Sequence, residues 1–263
     1  MSTMSPSEPA HKETVSLPAE EMYCATHPHK TGVAVPAYLK RVYWWTYIHP
    51  FAVWFFDRLW LINLIVLTNY HRLRDAALAE FSNLTDKKLL QISCAYGNIT
   101  PKLADRVAQD GGRLDILDVL PIQLDNVRAK IPASYPVHYH LMDATALEFA
   151  DGQYDGVLLF LLLHETPMDV RLKVLSEATR MLRPGGKLVV VDFALPARWN
   201  PFRYLWAVFL SVFEPFALDM WRNKIVDMMP AAARHWQRHH KRYFGGLFQK
   251  EVYIRPEPLK IAR

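Results

Sequence analysis

Cysteine is scarce: Cys24 and Cys94 are the only two in 263 residues. Two distant cysteines exclude a disulfide scaffold and a cysteine-cluster metal site, and they suit a reducing compartment. Uninterrupted apolar runs are missing as well. The richest, Phe51 to Thr68, is broken by Asp57, Arg58 and Asn63, and Phe202 to Leu218 is broken by Arg203, Glu214 and Pro215. A membrane-spanning helix needs about 20 nearly unbroken apolar residues, so neither run predicts one. Residues 1–35 lack the apolar core of a signal peptide, and their Pro, Ser, Thr and Glu content predicts a disordered leader. No internal repeat is visible.

Apolar mass is plentiful. With 51% apolar and 22% charged residues the chain buries a full core, as one large domain or one domain with an added lobe. The net charge of +5 is concentrated near the end: after Ala233 stand eight Lys or Arg against Glu251 and Glu257. Such a segment suits anionic lipid, nucleic acid or plain water. The aromatic residues lie away from it and no base-flipping motif is present, so no nucleic-acid partner is expected.

Composition divides the rest into an aromatic segment, residues 36–86, and a segment of alternating patterns, residues 87–193, followed by a second aromatic helical stretch and a closing hairpin. Lys88 to Cys94, Arg113 to Leu117, Val137 to Leu141, Gly156 to Leu162 and Lys187 to Phe193 read as short buried parallel strands. Thr100 to Gln109, Pro121 to Ile131 and Asp169 to Leu182 read as helices between them, and Arg183-Pro184-Gly185-Gly186 reads as a helix stop and turn. The alternation predicts an α/β fold with a doubly wound, mostly parallel sheet, whose ligands bind beyond the carboxyl ends of the strands. The informative residues are therefore those that follow each strand: the run from Gln91 to Asn98, then Asp118, then Asp143-Ala144, then His164-Glu165. Asp118 stands 21 residues past Gly97, a spacing that places a carboxylate to accept hydrogen bonds from a ribose diol.

This series resembles the class I S-adenosylmethionine (SAM) dependent methyltransferases over roughly residues 85–193. Met142-Asp143-Ala144-Thr145-Ala146-Leu147 with Tyr154-Asp155 is similar to the adenine-side motif of the quinone-methylating branch. The resemblance implies that Asp118, with Val119 beside it, holds the ribose hydroxyls. It implies that Asp143 accepts the adenine amino group and that Ala144 gives its backbone N–H. The first loop departs from the pattern. Gln91 replaces the family's acid, Ser93 and Ala95 replace two glycines, and only Gly97 remains. A neutral Gln91 removes the charge partner of SAM's ammonium, which lowers that amine's pKa relative to a standard site.

The departure, together with Tyr38 to Trp45, Phe56-Asp57-Arg58 to Asn63, Asn69 to Asp75, Ala95 to Thr100 and Leu163-His164-Glu165, resembles the RquA family of rhodoquinone biosynthesis over roughly residues 36–255. That resemblance implies that SAM donates its amino group, which replaces a methoxy group of ubiquinone, for anaerobic electron transport, with a divalent metal, manganese, involved. It also implies a peripheral membrane enzyme on a bacterial cytoplasmic face or on the matrix face of the mitochondrial inner membrane. On this reading His164 and Glu165 are the general-base candidates, and Tyr96 is a donor to the quinone oxygen.

Each residue also has a plainer reading. Asp118 and Asp143 read equally as caps on the following helices, Tyr96 as packing, His164 as a rim residue and Glu165 as a helix start. Cys94 reads as a small core residue. Metal ligation by His164, Glu165, Asp118 or Asp143 lacks a tight ligand motif, and His239-His240 point apart. The aromatic segment, residues 36–86, is expected as a helical lid that meets the membrane surface and channels a polyprenyl tail, with plain core as the alternative. Residues 87–255 are expected as the SAM-binding domain, with a helical insertion near 198–240 and a tail at 256–263. Ordinary C- or O-methylation of a quinone or other prenylated aromatic is the alternative chemistry.

Overall fold

Five apolar runs form the parallel strands of one sheet in the computed structural model, which describes residues 33–258. They are β1 (Lys88–Ile92), β2 (Arg113–Asp118), β3 (Val137–Leu141), β4 (Tyr154–Phe160) and β5 (Leu182–Phe193), joined by β6 (Gln237–Tyr243) and β7 (Phe248–Ile254). The order is β3-β2-β1-β4-β5-β7-β6, with β7 antiparallel to both of its neighbours. The expected leader, all but residues 33–35, and residues 259–263 of the expected tail lie outside the described residues.

β1, β4 and the second half of β5 are buried at nearly every position because helices cover both faces. Successive side chains feed opposite faces: Val189 and Val191 join one core cluster, Leu188 and Val190 the other. β3 is half-buried rather than fully buried, because it is an edge strand. β6 is the other edge, and its exposed Arg238, His239, His240, Lys241 and Arg242 discourage pairing with a further strand.

The covering helices are α5 (Ile99–Asp110), α6 (Pro121–Arg128) and α7 (Met168–Met181). Pro121 sits at the first position of α6, where its missing N–H costs nothing. The expected turn at Arg183 to Gly186 is a correction: these residues begin β5. Leu182 pairs with Tyr154, the register shifts, and Gly156 then pairs with Lys187. Gly185 absorbs the irregularity at φ +75° and donates its N–H to the Arg255 carbonyl at 2.8 Å.

Four helices precede the sheet: α1 (Leu39–Ile48), α2 (Pro50–Phe56), α3 (Leu59–Ile65) and α4 (Tyr70–Leu78). α1 is wound as a π-helix over all ten residues, a rare winding that tends to occur at functional sites. Leu39, Tyr43 and Ile48 of α1 bury against Leu120 beside the sheet's carboxyl edge. After β5, α8 (Phe202–Phe213) presses Trp206 and Leu210 inward. Among the described residues no helix is long and apolar enough to cross a membrane.

Candidate active site

The carboxyl ends of β1 to β4 open into one cavity of about 450 Å³. Ser93, Ala95 and Tyr96 after β1, Asp118 and Val119 after β2, Asp143 and Ala144 after β3, and His164 and Glu165 after β4 all reach its wall. Gln91 and Gly97 do not. The strand pleat turns Gln91 away, and its amide donates to Thr100 Oγ1 at 2.8 Å and to the Ser93 carbonyl at 3.1 Å. Its Oε1 is buried without a hydrogen-bond partner among the described residues. Gly97 is fixed behind the loop: its N–H donates to Asp57 Oδ1 at 2.9 Å and its carbonyl accepts from Lys130 Nζ at 3.2 Å. Asp57 also pairs with Lys130 at 2.8 Å, so one carboxylate joins the α2–α3 turn, the loop and the end of α6. Gly97 has φ +86°, and a Cβ there would stand 2.4 Å from the Tyr70 hydroxyl.

Asp118 organises the loop. Its Oδ2 accepts from the Cys94 N–H at 2.7 Å and from Ser93 Oγ at 3.2 Å, and its Oδ1 accepts from the Leu120 N–H at 2.9 Å. These bonds hold Ser93 at φ +70°, a region that disfavours any side chain. Burial raises the Asp118 carboxyl's pKa, against the two backbone N–H donors. Asp143 Oδ1 accepts the Thr145 N–H at 2.8 Å. The helix-capping reading fits neither aspartate: α6 has no side-chain cap and a turn, not a helix, follows Asp143, so these bonds close loop turns while both carboxylates face the cavity. Cys94 is buried, and burial pushes its thiol up.

Beyond the loop lies an acid–base cluster. His164 Nδ1 is 2.9 Å from Asp192 Oδ1, and its Nε2 is 3.7 Å from Glu165 Oε1. Asp192 is held in turn by the N–H groups of Leu163 at 2.8 Å and Phe193 at 2.7 Å. Burial alone lowers the imidazole's pKa, but the Asp192 carboxylate outweighs it, so His164 is raised and stays cationic near neutrality. Glu165 accepts the Tyr47 hydroxyl and Glu214 accepts the Tyr43 hydroxyl at 2.7 Å. Burial first, then mutual repulsion for Glu165, lifts both carboxyls above the ordinary range, against the pull of His164. Buried Arg171 fixes this corner: it donates to the carbonyls of Leu163 at 2.8 Å, Thr166 at 2.8 Å and Phe216 at 3.2 Å.

Tyr96 serves the roof. Its hydroxyl donates to the Thr46 carbonyl at 2.6 Å and accepts from Gln123 Nε2 at 3.1 Å, and its ring stacks on Tyr47 at 5.3 Å. Its proton is thus directed to the α1 backbone rather than into the cavity. α1 closes over the site through Leu39, Trp45, Thr46 and Tyr47. The far walls are apolar, made by Ile62 and Ile65 of α3 and by Phe209 and Phe213 of α8.

The expected metal finds no donor set. Among the described residues no group of three His, Cys, Asp or Glu side chains is placed to hold an ion. His164, Glu165, Glu214 and Asp192 are occupied with one another and with tyrosines, so no step is assigned to a metal.

Asp192, Glu214, Tyr43, Tyr47 and Gln123 were not among the sequence candidates. Asp192 closes an apolar strand just as Asp118 does, a signal present in the sequence. Glu214 reads in sequence only as a break in an apolar run, and its partner Tyr43 is 171 residues away.

Residues 89–186 match the methyltransferase domain family. An uncharacterized methyltransferase of Synechocystis is 29% identical over 65% of this chain and 75% of its own. The demethylmenaquinone methyltransferase of Beutenbergia cavernae is 39% identical over 36% of this chain, and this chain spans 39% of that protein. An O-methyltransferase family protein from Burkholderia thailandensis shares the fold, with a TM-score of 0.58 at 16% identity, covering 75% of this chain and 59% of that one.

Proposed function

We propose that this chain, whose residues 89–186 match the methyltransferase domain family, uses SAM to modify the ring of a quinone-type or other prenylated aromatic substrate. One observation carries the reading. A single cavity joins the strand-tip carboxylates Asp118 and Asp143 to the His164–Glu165 cluster and then to an apolar slot between α3 and α8. The polar end suits adenosine, the cluster suits a ring with exchangeable protons, and the slot suits an isoprenoid chain. The likeness to a demethylmenaquinone methyltransferase supports this substrate class.

Methyl transfer is the first reading. Asp143 and the Ala144 N–H receive the adenine edge, and Asp118 takes the ribose. Glu165, in its ionised form, accepts the proton of a quinol hydroxyl. Electron density moves to the adjacent ring carbon, which attacks the SAM methyl group while the sulfur leaves as a thioether. Cationic His164, held by Asp192, steadies the developing negative charge on the ring oxygen.

Amino transfer is the second reading, and Gln91 favours it. An amide stands where the family carries an acid, so no carboxylate at that position stabilises SAM's ammonium. Gln91 lies behind the loop and acts through the Ser93 carbonyl to which it donates. A neutral amine adds to the methoxy-bearing carbon of ubiquinone, and the methoxy group leaves as methanol; loss of the Cα proton then moves two electrons into the quinone ring, and water hydrolyses the resulting imine, so that the nitrogen stays on the quinol and the SAM skeleton leaves as a 2-oxo acid.

SAM labelled with nitrogen-15 at its amine and carbon-13 at its methyl, incubated with ubiquinone and with a demethylated quinol, separates the two. Carbon-13 in the ring product is expected for methyl transfer, and nitrogen-15 identifies amino transfer. Neither label in either product refutes the proposal.

A further inference from the structure

We propose that Tyr47 and Glu214 act on the reaction through Glu165: the phenol fixes the base against the roof, and the second carboxylate competes with it for a single proton. Both are positioning residues, and the inference rests on the role of base given to Glu165 above. Tyr47, Glu165 and Glu214 all reach the cavity wall, although they come from α1, from the turn after β4 and from the residue that ends α8. The Tyr47 hydroxyl donates to Glu165 Oε1, the same oxygen that faces His164 Nε2 at 3.7 Å. Tyr47 is itself pinned: its ring stacks on Tyr96 at 5.3 Å, and its carbonyl accepts from Gln123 Nε2 at 3.1 Å. A phenol held this way gives a hydrogen bond that is strongest when the carboxylate is charged. Glu214 has the opposite effect. It is a second acid facing the same volume, and two like charges in a water-poor corner oppose one another. Tyr43 donates to Glu214 Oε2 at 2.7 Å, so α1 gives one phenol to each acid.

The other titratable groups around Glu165 leave this contest in place. His164 is its cation, and Asp192 of β5 holds that imidazole from the far side at 2.9 Å. Tyr38, ahead of α1, and Tyr96, after β1, stay protonated because burial raises both phenols. On α7, Arg171 donates to backbone carbonyls and Lys173 stands at the exposed rim. Asp118 and Asp143 accept backbone N–H groups at the strand tips. Burial raises Glu165 first. His164 and the Tyr47 bond pull it down, while Glu214 and Asp192 push it up. Removing Tyr47 and removing Glu214 must therefore move Glu165 in opposite directions, which a merely structural loss would not do.

The test is a pH titration by NMR of the full chain carrying carbon-13 at its glutamate side-chain carboxyls, without SAM or quinone. Glu165→Gln and Glu214→Gln identify the two signals. Tyr47→Phe is expected to raise the Glu165 midpoint by about one pH unit, and Glu214→Gln to lower it by about one. With substrate present, the pH at which kcat climbs is expected to move the same way in each variant. Thermal unfolding checks the fold of both. Glu214→Gln keeps the size and the acceptor for Tyr43, so it decides the matter alone if Tyr47→Phe does not fold. Midpoints that stay put, or that shift with the same sign, overturn the inference. Because the titration holds no substrate, its failure is separate from that of the labelling experiment. Opposite shifts in the titration with an unmoved kcat profile refute the base role of Glu165 and the inference with it, whereas absent shifts refute the inference alone.

Discussion

Replacing Asp115 with Asn tests the electrostatics of the sheet that supports the site. Asp115 lies on β2 and its side chain is 1% exposed. Five partners surround it: Tyr154 Oη at 2.9 Å, His140 Nε2 at 3.2 Å, Arg113 Nη2 at 3.2 Å, Lys88 Nζ at 3.7 Å and His138 Nδ1 at 3.9 Å. Burial raises its carboxyl's pKa, but the bonds from His140 and Tyr154 and the charge of Arg113 outweigh it and bring it down from 3.8 to about 2. One pKa unit is worth about 1.4 kcal/mol, so the charged carboxylate contributes about 2 kcal/mol. Because the folded value lies below the unfolded one, this stability is complete above pH 3.8 and fades as pH falls towards 2. Asp115→Asn keeps the shape and the acceptor for Tyr154 but removes the charge. Urea unfolding at pH 7 is expected to show a loss of about 2 kcal/mol at unchanged slope. The gap between variant and wild type is expected to close as the pH is lowered through that window. A gap that is constant from pH 7 down to pH 2.5 would refute the reasoning, because the loss would then come from packing.

Two further outcomes follow from the site. Glu165→Gln is expected to lower kcat about 100-fold or more. Since Glu165 titrates above the ordinary carboxylate range, wild-type kcat should climb with pH beyond that range, and the variant should lose the climb; a variant that retains it removes Glu165 from the role of base. Gly97→Ala meets both a φ of +86° and the Tyr70 hydroxyl at 2.4 Å, and should cost about 2 kcal/mol or more in urea unfolding; an unchanged midpoint would contradict the loop geometry.

The parallel strands other than edge strand β3 were legible because burial on both faces leaves an apolar run that little else produces. The closing hairpin was legible too, but its edge strand β6 begins within the stretch read as helical insertion up to 240, since Gln237 to Arg242 are polar and exposed throughout and carry no alternation. The start of β5 was hidden because Pro184, Gly185 and Gly186 spell a turn, and only pairing with β4 and the Arg255 backbone makes them strand. Among site residues, Asp118, Asp143, His164 and Glu165 follow from a local rule, the position just past a strand. Gln91 follows the same loop but lies one pleat away from the cavity, which the motif alone does not convey. Glu214 and Tyr43 meet across 171 residues, and no local pattern signals such a pair.

Asp57 has a consequence for traffic. Because it rivets the α2–α3 turn to Gly97 and Lys130, that corner cannot swing outward without unseating the loop that follows β1. Trp45 packs on Phe56 beside that same turn, so the freer exposed edge of the cavity is the one at Phe213 of α8. The cavity is thus a room bolted on its polar side, with apolar side chains framing its doorway.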